Sequence, residues 1–193
     1  MAYRVPVFSW TERTAALTSH TPPSPLRSGP AIHLLDFRDP NSKQVFDGKG
    51  GTITCASLGD EWVIFGGTER GGVGGWDQRM GRQAAWHHGA SVQHWEPQWH
   101  HEALHAGPVW ALNGESGVLF SAGDDGCVRR VGLAGAHAEG ALEAALVLRA
   151  EAPLRALAWL TSHKQRQAGA GEGLLAAAAE SGGVEWAVVA QDT

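Results

Sequence analysis

The chain has 193 residues, enough for one domain with a real core. Its net charge of −5 and 18% charged residues include no basic block, which argues against a nucleic-acid partner. No window approaches the ~18 apolar residues of a membrane span, and the opening MAYRVPVFSW holds no signal-like run, so a cytoplasmic or nuclear protein with no membrane partner is expected.

Glycine (26) and tryptophan (9) are both frequent, a pairing that suits short strands joined by tight turns and packed by large rings. In chain order the pattern breaks into four units. The first, 1–48, is the least regular. Tyr3–Trp10 is its first strand or an outer strand closing on the chain's end, and Ala15–Ser19 its second. Thr21–Pro30, with four prolines, is a long hairpin connection rather than a strand. Ile32–Phe37 then reads as a third strand and Lys43–Asp47 as an outer one.

The second unit, 49–90, has candidate strands at Thr52–Leu58, Glu61–Gly66, Val73–Asp77 and Gln83–Trp86. Residues 87–104 follow as a His- and Trp-rich loop. The third unit, 105–150, offers Val109–Asn113, Val118–Ala122, Cys127–Leu133 and Ala145–Arg149, with a loop over Ala134–Ala144. The fourth, 151–193, offers Leu154–Leu160, Leu174–Ala179 and Val184–Val189, with a polar Gly-rich insertion between its first two strands and no fourth strand. Cys55 and Cys127 sit inside apolar runs and read as reduced core thiols.

Three stretches share one pattern without gaps: IFGGTERGGV (Ile64–Val73), LFSAGDDGCV (Leu119–Val128) and AAAAESGGV (Ala176–Val184). Their closing valines are 55 and 56 residues apart, and a fixed period in this range marks a repeat architecture. Each is a small or apolar run, a polar turn with glycine, then a β-branched residue, which is hairpin chemistry. The pair Trp76-Asp77 closes the first. With the hairpins, it resembles the WD-repeat β-propeller family over most of the chain. The resemblance implies an all-β fold, a WD-repeat-like propeller or partial propeller of about four blades with degenerate repeats. Propellers close with typically ~4–8 blades, so four imply a tight ring, an open arc in need of a partner, or a truncated product.

His101-Glu102-Ala103-Leu104-His105 matches HExxH, in which two His one helical turn apart hold zinc and the Glu acts as base. Gly107-Pro108 breaks any helix there, so a structural reading is preferred. The family resemblance implies that His105 bonds the turn residue Asp125, itself tied to Ser121. Between Trp86 and His105 lie six His (His87, His88, His94, His100, His101, His105) and three Trp (Trp86, Trp95, Trp99). Imidazole suits zinc, copper or nickel, yet a partner-binding loop is the favoured reading, since Trp is enriched at interface hot spots.

Trp76-Asp77-Gln78-Arg79 and Leu35-Asp36-Phe37-Arg38 are similar to the box by which WD-repeat substrate receptors of cullin-4 ubiquitin ligases engage their adaptor, with Arg38 and Arg79 as the contacts. A solvated Arg at a strand end is the plainer alternative. Asp60-Glu61 and Asp124-Asp125 are turn residues, and no nucleophile elbow, P-loop or Cys-x-x-Cys is present. The expected function is a non-enzymatic scaffold that binds other proteins in a larger complex, without a cofactor or catalytic metal. The alternatives are a ubiquitin-ligase substrate receptor or assembly subunit and, less favoured, a metal-binding hydrolase built on the His-rich loop.

Overall fold

Glycine-centred turns organise the chain. The computed structural model describes residues 14–19, 31–36, 43–47, 51–59, 63–77, 92–95, 99–115, 117–133, 143–160 and 172–190, and all regular structure among them is strand. The strands are β1 (Thr14–Ser19), β2 (Ala31–Asp36), β3 (Lys43–Asp47), β4 (Ile53–Leu58), β5 (Val63–Thr68), β6 (Val73–Asp77), β7 (Val92–Trp95) and β8 (Trp99–His101). They continue as β9 (Val109–Glu115), β10 (Val118–Gly123), β11 (Cys127–Gly132), β12 (Ala144–Arg149), β13 (Leu154–Leu160), β14 (Glu172–Ala179) and β15 (Val184–Ala190). Four sheets result, in the orders β1-β2-β3-β7, β4-β5-β6-β8, β9-β10-β11-β12 and β13-β14-β15. Among the described residues no helix is long and apolar enough to cross a membrane.

The repeat is visible in backbone geometry. Gly71, Gly126 and Gly182, again 55 and 56 residues apart, hold φ of 85°, 70° and 89° in the hairpins β5–β6, β10–β11 and β14–β15. A residue with a side chain is strained there. In each hairpin the amide of the first turn residue reaches back to the carbonyl ahead of that sheet's first strand. The bonds are Glu69 to Thr52 at 2.8 Å, Asp124 to Pro108 at 2.9 Å and Glu180 to Pro153 at 2.8 Å. The turn glycine also holds the connection to the next sheet: Gly71 O accepts from His105 N–H at 3.0 Å and Gly126 O from Ala150 N–H at 2.8 Å.

The sheets pack in series through their first strands, β1 on β4, β4 on β9 and β9 on β13. Between the first and second sheets, Ile32 meets Ile53, Ala56, Ile64 and Trp76. Between the second and third, Phe65, Val73 and Cys55 meet Val109, Leu112, Leu119 and Val131. Gly59 and Gly114 make room for the Phe65 ring, since a Cβ would lie 2.5 and 2.2 Å from it. Between the third and fourth, Phe120 stacks on Trp159 with centroids 4.8 Å apart and 26° between planes. The strands β5 and β10 of sheets two and three are thus covered on both faces, which explains their runs of apolar and small residues.

Three sequence expectations are corrected here. The 87–104 segment is not wholly loop: β7 joins the first sheet parallel to β3, and β8 completes the second sheet antiparallel to β6. The fourth strand of the second sheet is therefore β8 rather than Gln83–Trp86, which lies outside the described residues. A three-residue edge strand supported by pairing to Val73–Gly75 has no periodicity of its own. In the first sheet β1 holds the inner position, against β4, so Ala15–Ser19, Ile32–Phe37 and Lys43–Asp47 each fall one place nearer the centre than expected. Tyr3–Trp10, Thr21–Pro30, the loop at 134–142 and the insertion at 161–171 lie outside the described residues.

Candidate functional site

The hairpin β10–β11 and the bend after β8 bring His105, Asp125 and Ser121 together. His105 precedes β9, where Gly71 O fixes its backbone. Asp125 lies in the β10–β11 turn and Ser121 within β10. The imidazole Nδ1 is 2.9 Å from Asp125 Oδ1, and Nε2 is 2.8 Å from Ser121 Oγ. An ionised Asp125 accepts only, so Nδ1 carries the proton and Nε2 accepts from the Ser121 hydroxyl. Ser121 therefore reaches His105 rather than Asp125, and the imidazole is the link between the other two.

Burial is the larger influence on His105 and lowers its pKa, against the opposing pull of Asp125, so the ring is neutral. Burial alone would raise the Asp125 pKa. The His105 bond and the amides of Cys127 and Ala106, at 3.1 and 3.3 Å, instead hold it below the ordinary 3.8. Arg129 stands 3.7 Å from Oδ2 and adds little from its part-exposed position.

Bond for bond this is the connectivity of a Ser-His-Asp triad. Its surroundings differ, because Ser121 is 0% and His105 3% exposed. A nucleophile needs room for an acyl carbon at Oγ and donors for an oxyanion. Here Gly123 lies against the ring, where a Cβ would meet His105 Nδ1 at 2.6 Å. The set closes a hairpin.

The HExxH segment is not helical. His101 ends β8, and Glu102 and Ala103 form an exposed turn. Among the described residues no group of three His, Cys, Asp or Glu is placed to hold a metal ion. Trp76 and Asp77 are both buried in the second sheet, at 1% and 4% exposure. Trp95 and Trp99 lie on the outer strands β7 and β8. Arg38, Arg79, Trp86, His87 and His88 lie outside the described residues. Cys55 and Cys127 are free and buried, and burial pushes the Cys55 thiol up to about 12, so it is inert at neutral pH.

A second constellation lies at the turn end, across the third and fourth sheets. Arg155, second residue of β13, sits with its guanidinium 4.4 Å from the centre of the Trp110 ring. It reaches Asp124 Oδ1 at 3.3 Å and Glu180 Oε2 at 2.6 Å, while Trp110 Nε1 donates to Asp124 Oδ1 at 3.0 Å. Trp110 and Arg155 are second residues of equivalent strands, and Asp124 and Glu180 first residues of equivalent turns. In the second sheet those places hold Thr54 and Glu69, with Thr54 Oγ1 on the carbonyls of Val109 and Gly67. The repeat thus puts an inter-sheet polar contact at the same height each time. Sequence reading missed this set; the signal available was the shared repeat position.

The arrangement of four small sheets packed in series is an all-β fold. Its fold is similar to the computationally designed Ika4 protein, with a TM-score of 0.63 at 13% identity over 98% of this chain and 94% of that one. It is similar also to the computationally designed Ika8 protein, with a TM-score of 0.63 at 13% identity over 95% of this chain, which spans 45% of the Ika8 chain. No family model and no curated protein matches the chain. Identities this low speak for the fold alone.

Proposed function

We propose that the four sheets are blades of a WD-repeat-like propeller arc and that the protein is a non-enzymatic scaffold that binds other proteins. The observation that carries this reading is the closure of the His105–Asp125–Ser121 set. This group, whose connectivity is that of nucleophilic chemistry, is buried and holds a hairpin. The turn end supplies the docking surface. Trp110 and Arg155 are part-exposed there and braced by carboxylates from two sheets. Trp and Arg held in place beforehand are the residue types that dominate interface energetics, because little freedom is lost on binding.

The experiment is affinity purification with quantitative mass spectrometry, run on the wild type and on a Trp110→Ala, Arg155→Ala double variant. The reading expects proteins enriched by the wild type and lost by the variant at unchanged circular dichroism. Equal enrichment by both would remove the turn end as the docking surface.

A further inference from the structure

The fourth sheet has a face that no part of the fold explains. The register β13–β14–β15 sets Leu160, Leu174 and Val188 in one row, Ala158, Ala176 and Trp186 in the next, and Ala156, Ala178 and Val184 in the third. All nine are apolar, and the only charged register position on this face is Glu172, paired with Ala190 at its far end. Its large members are open to solvent: Leu160 60%, Val184 64%, Trp186 67% and Val188 60% exposed. The opposite face, with Trp159, Leu175 and Ala177, is buried against the third sheet. An antiparallel sheet with one wet face normally alternates apolar and polar residues. Here the three central rows of the open face are apolar throughout, the pattern of a covered face rather than a wet one.

The occupant follows from the ends of the array. Three times within the chain, one sheet covers the face of the next. The first sheet meets the second through Ile32, and the register sets Ala31, His33, Leu35 and Ala15, Leu17, Ser19 on its other face. One chain does not join its own ends, because the fourth sheet's face is exposed. Two copies placed head to tail cover both ends at once, and such an interface closes when the rotation sums to a full circle. The matched part of the Ika8 chain is 45% of it, so an arrangement of this kind also occurs inside a longer chain. A three-strand face is about 14 Å by about 23 Å from strand spacing and rise. Four such faces buried in a two-copy ring remove on the order of 1,000 Å² or more, the range of specific interfaces.

We infer that the uncovered face of the fourth sheet takes the first sheet of a second copy, and that two chains close into one ring of eight sheets. This stands apart from the scaffold reading, whose docking surface is the turn end. The test is the solution mass of the full chain by light scattering across micromolar concentrations. The inference expects a mass near twice 20.4 kDa, reduced to the single chain by Trp186→Glu and equally by Leu17→Glu, with β-rich circular dichroism in both. Val184→Lys replaces Trp186→Glu if that variant does not fold. A monomeric wild type overturns the inference. So does a dimer lost with Trp186→Glu but kept with Leu17→Glu, which is the signature of two fourth sheets face to face. Oligomers that keep growing with concentration overturn the closed ring.

Discussion

His105 Nε2 lies 2.8 Å from the Oγ of Ser121, and neither group meets solvent. That pair, with Asp125 on the other ring nitrogen, sets what the third sheet costs to disturb. Removing the imidazole leaves a buried hydroxyl and a half-buried carboxylate without their partner. His105→Ala is expected to destabilise by about 1–3 kcal/mol, measured as a lower urea midpoint with an unchanged slope. Ser121→Ala removes one weaker bond and leaves the His105–Asp125 pair, so its loss falls at the low end of that range.

The same set makes stability depend on pH in a defined direction. The folded pKa of His105 is below 6.5, so the unfolded chain takes up its proton first as the pH falls. This contribution is fully present above about pH 6.5 and is lost as the pH drops toward the folded value. Asp125, also lowered, adds a second decline below 3.8 as its carboxylate is protonated. Denaturation across mildly acid pH should show wild-type stability falling on acidification. His105→Ala should fall less steeply over the first window, which separates this residue from the chain's other histidines.

The three equivalent glycines should rank by what surrounds them. A Cβ on Gly71 would sit 2.0 Å from the carbonyl oxygen of His105, and one on Gly126 2.5 Å from that of Ala150. Around Gly182 nothing lies within 4 Å. Gly182→Ala should therefore cost only the left-handed backbone penalty, about 1–2 kcal/mol. Gly71→Ala and Gly126→Ala should cost more, because the link to the next sheet must shift as well. Thermal melts of the three variants give the order directly.

Much of this architecture is written locally. Turn glycines and the β-branched residues after them recur at 55 and 56 residues, so the strands of the second, third and fourth sheets other than β8 are legible to within a few residues. The strands β7 and β8 were not. Each depends on pairing with a strand distant in sequence, and Val92–Trp95 and Trp99–His101 have no alternation that would stand without that partner. The inner place of β1 was equally hidden, since it comes from packing on β4. Within the candidate sites, the resemblance to WD repeats implied the His105–Asp125–Ser121 residues, though with Ser121 tied to Asp125 where the structure has it on the imidazole. The Arg155–Trp110–Asp124 cluster joins neighbouring sheets and exists only once they are stacked.

Glu102 tests the HExxH motif by its indifference. It is exposed in a turn beyond the end of β8. Glu102→Ala should leave stability within about 0.5 kcal/mol of wild type, and neither protein should cleave casein with or without added zinc. Zinc-dependent cleavage by the wild type that Glu102→Ala abolishes would restore the hydrolase alternative.

The core between the third and fourth sheets includes one stacked ring pair. Trp159 is stacked on Phe120 and fills the space over Gly173, where a Cβ would lie 2.0 Å from the indole. Trp159→Ala should cost about 3–5 kcal/mol, read by chemical denaturation. The fourth sheet should lose amide protection before the third.

The central claim is that the turn end of the third and fourth sheets receives another protein. The most direct measurement places a photo-cross-linking benzoylphenylalanine at position 110 in one sample and at exposed position 143 in another, in cells. The account predicts a discrete cross-linked protein from position 110 that is absent from position 143. No cross-link above an unrelated control at position 110, or the same products from both positions, would contradict it.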